Sequence, residues 1–167
     1  MSEEFRSGLV ALAGRPNVGK STLANALAGS HVAAVSARPQ TTRRRMRAVV
    51  NGPDWQGVLI DMPGFQKPAD GLTRRMQDAV DGAFADCDAV IFIVNAREEI
   101  GGGDRFIATR LRSAGVPVIM VVNKIDGLAA EQVAVAITRA SELIDFVELH
   151  PISATDGDGL QALTATI

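Results

Sequence analysis

Leu9 to Ala28 reads LVALAGRPNVGKSTLANALA: a short apolar run, a glycine-rich turn and a helical pattern in succession. Leu9 to Ala13 has strand character, and Lys20 to Ala28 carries Leu23 and Leu27 on one helical face. Between them Gly14-Arg15-Pro16-Asn17-Val18-Gly19-Lys20-Ser21 matches the phosphate-loop pattern G-x-x-x-x-G-K-[ST]. The glycines let backbone N–H groups converge on phosphate oxygens, and the start of the following helix adds a favourable dipole. Lys20 is placed to reach β- and γ-phosphates, and Ser21 offers a hydroxyl to Mg²⁺. Gly14, Arg15, Pro16, Asn17, Val18, Gly19, Lys20, Ser21 and Thr22 are therefore nucleotide-binding candidates.

The same alternation continues along the chain. Met46 to Val50 and Trp55 to Ile60 flank Asn51-Gly52-Pro53-Asp54, a hairpin signal. Leu72, Met76, Val80 and Phe84 recur at helical spacing. Ala89 to Val94 and Val116 to Val122 are continuous apolar runs of strand length, the mark of strands covered on both faces. Between them a helix is predicted from Asp104, with Ile107 and Leu111 inward, ending at Gly115; Val133, Ile137, Ala140 and Ile144 mark the next. Phe146 to Leu149 is predicted as a short strand and Gly157 to Ile167 as a last helix. Strands alternating with helices give a three-layer αβα domain. Its sheet is mixed and six-stranded, with one antiparallel edge strand from the hairpin. The last helix lacks a C-cap signal, so the chain is expected to be one domain cut from a longer protein.

Composition narrows the function. The chain has 167 residues, a net charge of −2 and one cysteine. Cys87 alone excludes a disulfide scaffold and a multi-cysteine metal centre, and reads as a small core residue. The charge balance is not that of a free-standing nucleic-acid module. No apolar run is long enough for a membrane span, and a reducing cytoplasm is the expectation. Basic residues total 17, of which only Lys20, Lys67 and Lys124 are lysine; two of these three lie in motifs.

Three further motifs share the predicted carboxyl edge of the sheet. Asp61-Met62-Pro63-Gly64 follows the second hairpin strand. Asp61 could hold Mg²⁺ through water, and the Gly64 N–H could approach a γ-phosphate. Asn123-Lys124-Ile125-Asp126 follows the run Val116 to Val122. A carboxylate there can accept hydrogen bonds from the N1–H and exocyclic amino group of guanine. Adenine offers no such donor pair, so Asp126 would discriminate between the bases. Lys124 would lie along the base and Asn123 would brace the loops. Ser153-Ala154 ends the last strand, where a backbone N–H could meet guanine O6. Arg38 to Arg47 contains five arginines and no acid; a phosphate or RNA contact, a switch loop and a charged edge strand all remain open. Thr42 is the metal-sensing candidate in that segment, giving Ser21, Thr42 and Asp61 as the Mg²⁺ set. Lys20, Thr42 and Gly64 are the catalytic candidates. Ras-type enzymes place a glutamine directly after D-x-x-G to orient the attacking water, but this chain has Phe65 there. His31 and His150 read as loop residues, and Trp55 as a residue packed at the sheet edge.

These motifs, in this order, resemble those of translation-factor-class GTPases. Finer features resemble the bacterial Era GTPases: Gly14 to Thr22 as GRPNVGKST, Pro39 to Arg43 as PQTTR, Pro63 to Pro68 followed by Leu72 and Met76, and Gly103 to Ile107. Met62 departs from the family's usual threonine. The resemblance implies binding of GTP and GDP with Mg²⁺, slow GTP hydrolysis, and a role in assembling the small ribosomal subunit. The family's RNA-binding KH domain, which takes the 3′ end of 16S rRNA, has no counterpart in these residues. Asn17 resembles the asparagine by which related GTPases hold K⁺. The resemblance also implies a cytoplasmic protein with peripheral inner-membrane association; a monomer is expected. A Der-like or tRNA-modification GTPase domain, and a nucleotide-gated binding module with negligible hydrolysis, are the alternatives.

Overall fold

A computed structural model describes residues 5–29, 46–61 and 84–167. The strands are β1 (Arg6–Ala13), β2 (Met46–Asn51), β3 (Trp55–Asp61), β4 (Ala89–Asn95), β5 (Val118–Asn123) and β6 (Glu148–Ile152). Among the described residues the helices are α1 (Lys20–Ala28), α2 (Gly102–Ala114), α3 (Ala130–Ser141) and α4 (Leu160–Thr166). One six-stranded sheet runs in the order β2-β3-β1-β4-β5-β6, and only β2 is antiparallel to its neighbour. This is the mixed sheet with one antiparallel edge strand that the alternating pattern predicts.

The continuous apolar runs are explained by the period of a strand. Along β1, Ala11 and Ala13 face the layer holding Ile107 and Leu111 of α2 and Ala136 and Ala140 of α3. Val10 and Leu12 face Leu23 of α1 and Leu163 of α4. Every second residue serves a different core, so no polar face is needed. Phe92, Val94, Met120 and Val122 join the first core; Ile91, Ile93, Ile119 and Val121 join the second. With aromatics scarce, aliphatic side chains do fill both cores, and Cys87 packs in the first of them.

β5 runs Val118–Asn123 instead of Val116 to Val122, α2 starts at Gly102 and α3 ends at Ser141, before Ile144; three further boundaries differ from the sequence reading for evident physical reasons. β1 begins at Arg6, because Arg6 to Gly8 pair with Trp55 to Gly57, a partnership their own side chains do not signal. β6 lies at Glu148–Ile152, later than Phe146 to Leu149, and includes Pro151. An edge strand tolerates proline because its outward side has no ladder bond to lose; Val147 is instead exposed. Gly157 and Gly159 both have positive φ, so α4 starts only at Leu160. The helix expected around Leu72 to Phe84 lies outside the described residues except for its end, where Phe84 is fully buried.

The order β3-β1-β4 makes β1 the switch point, with β3 on one side of it and β4 on the other. In open α/β sheets ligands bind in the crevice at the carboxyl ends of the strands beside such a point. The residues after β1, β4, β5 and β6 meet there.

Candidate functional site

The loop after β1 is shaped by close approach. A Cβ on Gly14 would lie 2.6 Å from the Ile93 carbonyl oxygen and 2.7 Å from Val18 Cγ2. Only glycine lets the chain leave β1 so near to β4. Asn17 adopts φ +65°, and Gly19 reaches φ +106° as the N-cap of α1. A Cβ on Gly19 would collide with Asn123 Nδ2. The first turn of α1 carries no side-chain cap and no acidic residue, so its N–H groups and dipole favour an anion.

Lys20 is buried, and its Nζ donates to the carbonyls of Gly14 and Arg15, 2.9 Å each. The ammonium is thus held over the loop that it would share with a phosphate. Ser21 and Thr22 follow, half-buried in the first turn of α1.

Asn123 is the junction of the site. It ends β5 and is buried. Its Nδ2 donates to the Val18 carbonyl at 2.8 Å, and its Oδ1 accepts from the Ala154 N–H at 3.0 Å. One side chain therefore ties the loop after β1 to the loop after β6. Lys124 adopts φ +69° and donates from Nζ to the Asn17 carbonyl at 2.5 Å. Its aliphatic stem thereby spans the gap between the two loops. Asp126 Oδ1 accepts from Ser153 Oγ at 3.0 Å, and Ser153, fully buried, also accepts from the Asp156 N–H at 3.1 Å. Asn123, Asp126, Ser153 and Ala154 are thus brought together by direct bonds.

Around the candidate Arg15 the structure adds Asp104, Glu98, Asn95 and Arg97. Arg15 Nε donates to Asp104 at 2.9 Å, and its NH2 group donates to Glu98 Oε2 at 2.9 Å. Asp104 is fully buried and also accepts the Gly101 N–H at 2.9 Å, closing the first turn of α2. Partial burial lowers the Arg15 pKa, but the hydrogen bond and charge of Asp104, with Glu98 adding, raise it on balance. Asn95, at the end of β4, donates to Glu98 Oε1 at 2.7 Å and accepts the Arg97 N–H at 3.0 Å. Arg97 reaches the Asp126 loop. The available signal was position: Asn95, Arg97 and Glu98 stand directly after a buried strand, on the edge where the motifs converge.

Asp61 is the last residue of β3 and pairs in register with Leu12. Its backbone thus stands at the carboxyl edge beside the loop after β1. The Asp61 side chain, Thr42, Gly64, Phe65 and the cluster Arg38 to Arg45 lie outside the described residues, as does His31. Among the described residues no cluster of His, Cys, Asp and Glu forms a metal centre of its own. His150 is not a loop residue. It lies in β6, buried, with Nε2 2.9 Å from Thr166 Oγ1, because β6 begins two residues later than expected and α4 packs across it.

A carboxylate pinned beyond the end of β5, a glycine loop opening a helix, and an asparagine joining the loops thus stand together at the carboxyl edge of the sheet. Comparison with known proteins places the chain in a family. A family described as "50S ribosome-binding GTPase" matches residues 9–124. "GTPase Era" of Clostridium perfringens is 43% identical over 150 residues, which cover 90% of this chain and 51% of that protein. The chain thus spans about half the length of the curated relatives it matches. A single-residue variant of Aquifex aeolicus Era bound to GDP·AlF4⁻ superposes with a TM-score of 0.86 at 34% identity, covering 96% of this chain and 55% of that one. Era in complex with MgGDPNP and nucleotides 1506–1542 of 16S ribosomal RNA superposes with a TM-score of 0.88 at 34% identity, covering 98% and 56%. The chain belongs to the 50S ribosome-binding GTPase family, and within it to the Era type.

Proposed function

We propose that this domain binds GTP and GDP with Mg²⁺ and hydrolyses GTP slowly, as the switch of a protein acting in small-subunit assembly. The observation that carries this reading is the Asn123 junction. It fixes the loop leading into Lys20 against the end of β5, from which the Asp126 segment departs, and against the loop after β6, so one ligand can meet Lys20 and Asp126. Such a ligand has phosphates at one end and a base with paired donors at the other. The Era relatives described with GDP·AlF4⁻, and with MgGDPNP and a 16S fragment, support hydrolysis and the ribosomal role.

The chain's own residues would divide the work. Gly14 to Gly19 present backbone N–H groups to the phosphates, and Lys20 offers its ammonium to the β- and γ-oxygens. Ser21, with Thr42 and Asp61, would hold Mg²⁺; the half-buried Ser21 at the helix start fits that role. Mg²⁺ when bound neutralises charge on the β- and γ-phosphates. Asp126 accepts the two guanine donors, Ser153 orients it, and the Ala154 N–H remains bound to Asn123. That N–H is already used, so the O6 contact expected at Ser153-Ala154 would need a neighbouring donor or a shared bond. Asn17, exposed at the loop crest, would hold K⁺. Hydrolysis should then run faster in KCl than in NaCl at equal ionic strength, and Asn17→Ala should remove that difference. We assign rRNA recognition to a KH domain beyond these residues, cytoplasmic location with peripheral inner-membrane contact, and a monomeric state. Among the described residues no helix is long and apolar enough to cross a membrane.

Competition binding tests the central reading. GDP should displace a fluorescent guanine nucleotide far better than ADP, and Asp126→Asn should shift preference toward xanthosine diphosphate, whose O2 accepts from the amide. Equal displacement by GDP and ADP would overturn it.

A further inference from the structure

We propose that Arg97 is a positioning residue for base recognition, clamping the loop that carries Asp126 and linking it to the phosphate loop. The proposal rests on the guanine-binding reading above. Arg97 stands two residues beyond the end of β4, and β4 and β5 finish in register, Asn95 opposite Asn123. Its guanidinium therefore faces the loop after β5. Nε donates to the Lys124 carbonyl at 3.1 Å; the NH2 group donates to the Asp126 carbonyl and, at 2.6 Å, to Asp126 Oδ2. One planar fork thus grips three acceptors on a single loop, a task that a lysine's point charge does not perform.

Lys124 sits at φ +69°, a left-handed conformation that costs a residue with a Cβ about 1 kcal/mol or more. Arg97 grips two backbone carbonyls as well as one carboxylate oxygen, and each carboxylate oxygen keeps a second lone pair that can accept from a ligand. Ser153 holds Oδ1 while Arg97 holds Oδ2, so the carboxylate is pinned from two directions before a base arrives.

The contacts continue to the phosphate loop. The Arg97 N–H donates to Asn95, Asn95 donates to Glu98, and Glu98 accepts from Arg15, which is anchored on buried Asp104. The segment after β4 is therefore a bridge between the two halves of the site, parallel to the Asn123 junction and built from different residues.

The Arg97 and Asp126 side chains are 47% and 34% exposed, and pairs of that exposure contribute little to stability. The contribution of Arg97 should appear in selectivity and not in folding. Guanine offers Asp126 two donors, whereas hypoxanthine lacks the exocyclic amine. The ratio of GDP to IDP affinity therefore reads how well the carboxylate is aimed. The experiment is displacement of a fluorescent guanine nucleotide by GDP, IDP and ADP, using the wild-type chain, Arg97→Ala and Arg97→Lys, beside urea unfolding of each. Wild type should prefer GDP over IDP by about tenfold or more, the worth of one charge-assisted hydrogen bond. Arg97→Ala should bring the ratio to within about threefold with its urea midpoint unmoved, and Arg97→Lys should not restore it. A wild type that does not prefer GDP over ADP would overturn the guanine reading itself. A selective wild type, with Arg97→Ala keeping or raising the ratio, or losing GDP and IDP affinity in equal proportion, would overturn the clamp alone. A wild-type ratio in Arg97→Lys would also overturn it, by showing that charge suffices without the fork.

Discussion

Removing the Asn123 side chain should separate the two halves of the site. Asn123→Ala deletes the donor to the Val18 carbonyl and the acceptor for the Ala154 N–H, bonds of 2.8 and 3.0 Å. Val18 and Ala154 are both buried. A buried group left without its partner costs about 1–3 kcal/mol, so the pair costs about 2–6 kcal/mol. Asn17 beside Val18 is exposed, which lets water approach that carbonyl and favours the lower half, about 3 kcal/mol. For a domain of this size that lowers the melting temperature by roughly 6–12 °C. Urea unfolding without nucleotide should show a lower midpoint at unchanged slope, and fluorescent nucleotide affinity should fall in parallel. Asn123→Asp separates the two bonds: it keeps an acceptor for Ala154 but turns an oxygen toward the Val18 carbonyl. It should be at least as damaging as alanine, because the retained bond is offset by repulsion and by burial of charge. An alanine variant within about 0.5 kcal/mol of wild type, or an aspartate variant as stable as wild type, would refute the junction.

Other sites give sharper single outcomes. Gly14→Ala places a Cβ 2.6 Å from the Ile93 carbonyl; β4 must shift, costing about 1–3 kcal/mol, and calorimetry with and without GDP should show both lower stability and weaker binding. Asp104→Ala removes a fully buried carboxylate that accepts from Gly101 and Arg15. Because Arg15 is 25% exposed, the loss should sit near the low end of the range for a broken buried pair, about 3 kcal/mol by urea titration. Leu163→Ala opens a cavity between α4 and the sheet, and should cost about 2–5 kcal/mol in the same titration while leaving the GDP-to-ADP preference intact.

Much of this arrangement is legible in the chain itself because it depends on local geometry. The glycines of the loop after β1 stand at fixed spacing directly after an apolar run, and the helix that follows shows its own period. The apolar runs of β4 and β5 announce strands covered on both faces before any partner is known. Asn123 and Asp126 are recognisable because they end such a run, and polar residues at a buried strand's carboxyl end have few purely structural uses. The limits are equally physical. The start of β1 and the true span of β6 depend on hydrogen bonds to other strands, which side-chain pattern does not encode.

What the amino-acid sequence determined by itself was the order of strands and helices, the phosphate loop, and the residues standing at the carboxyl edge. Only the tertiary structure decided which of those residues touch. Arg15 and Asp104 are 89 positions apart, and Arg97 and Asp126 are 29 apart. Neither pair carries a spacing signal, since their meeting is set by strand register and by the crossover that lays α2 beside the loop. Asp104 reads in sequence as an ordinary first-turn acid of a helix; burial turns it into the anchor of Arg15. Arg97 is a surface charge by exposure. It becomes part of the site because β4 and β5 end side by side, bringing its guanidinium within reach of two carbonyls and a carboxylate that sequence distance keeps apart.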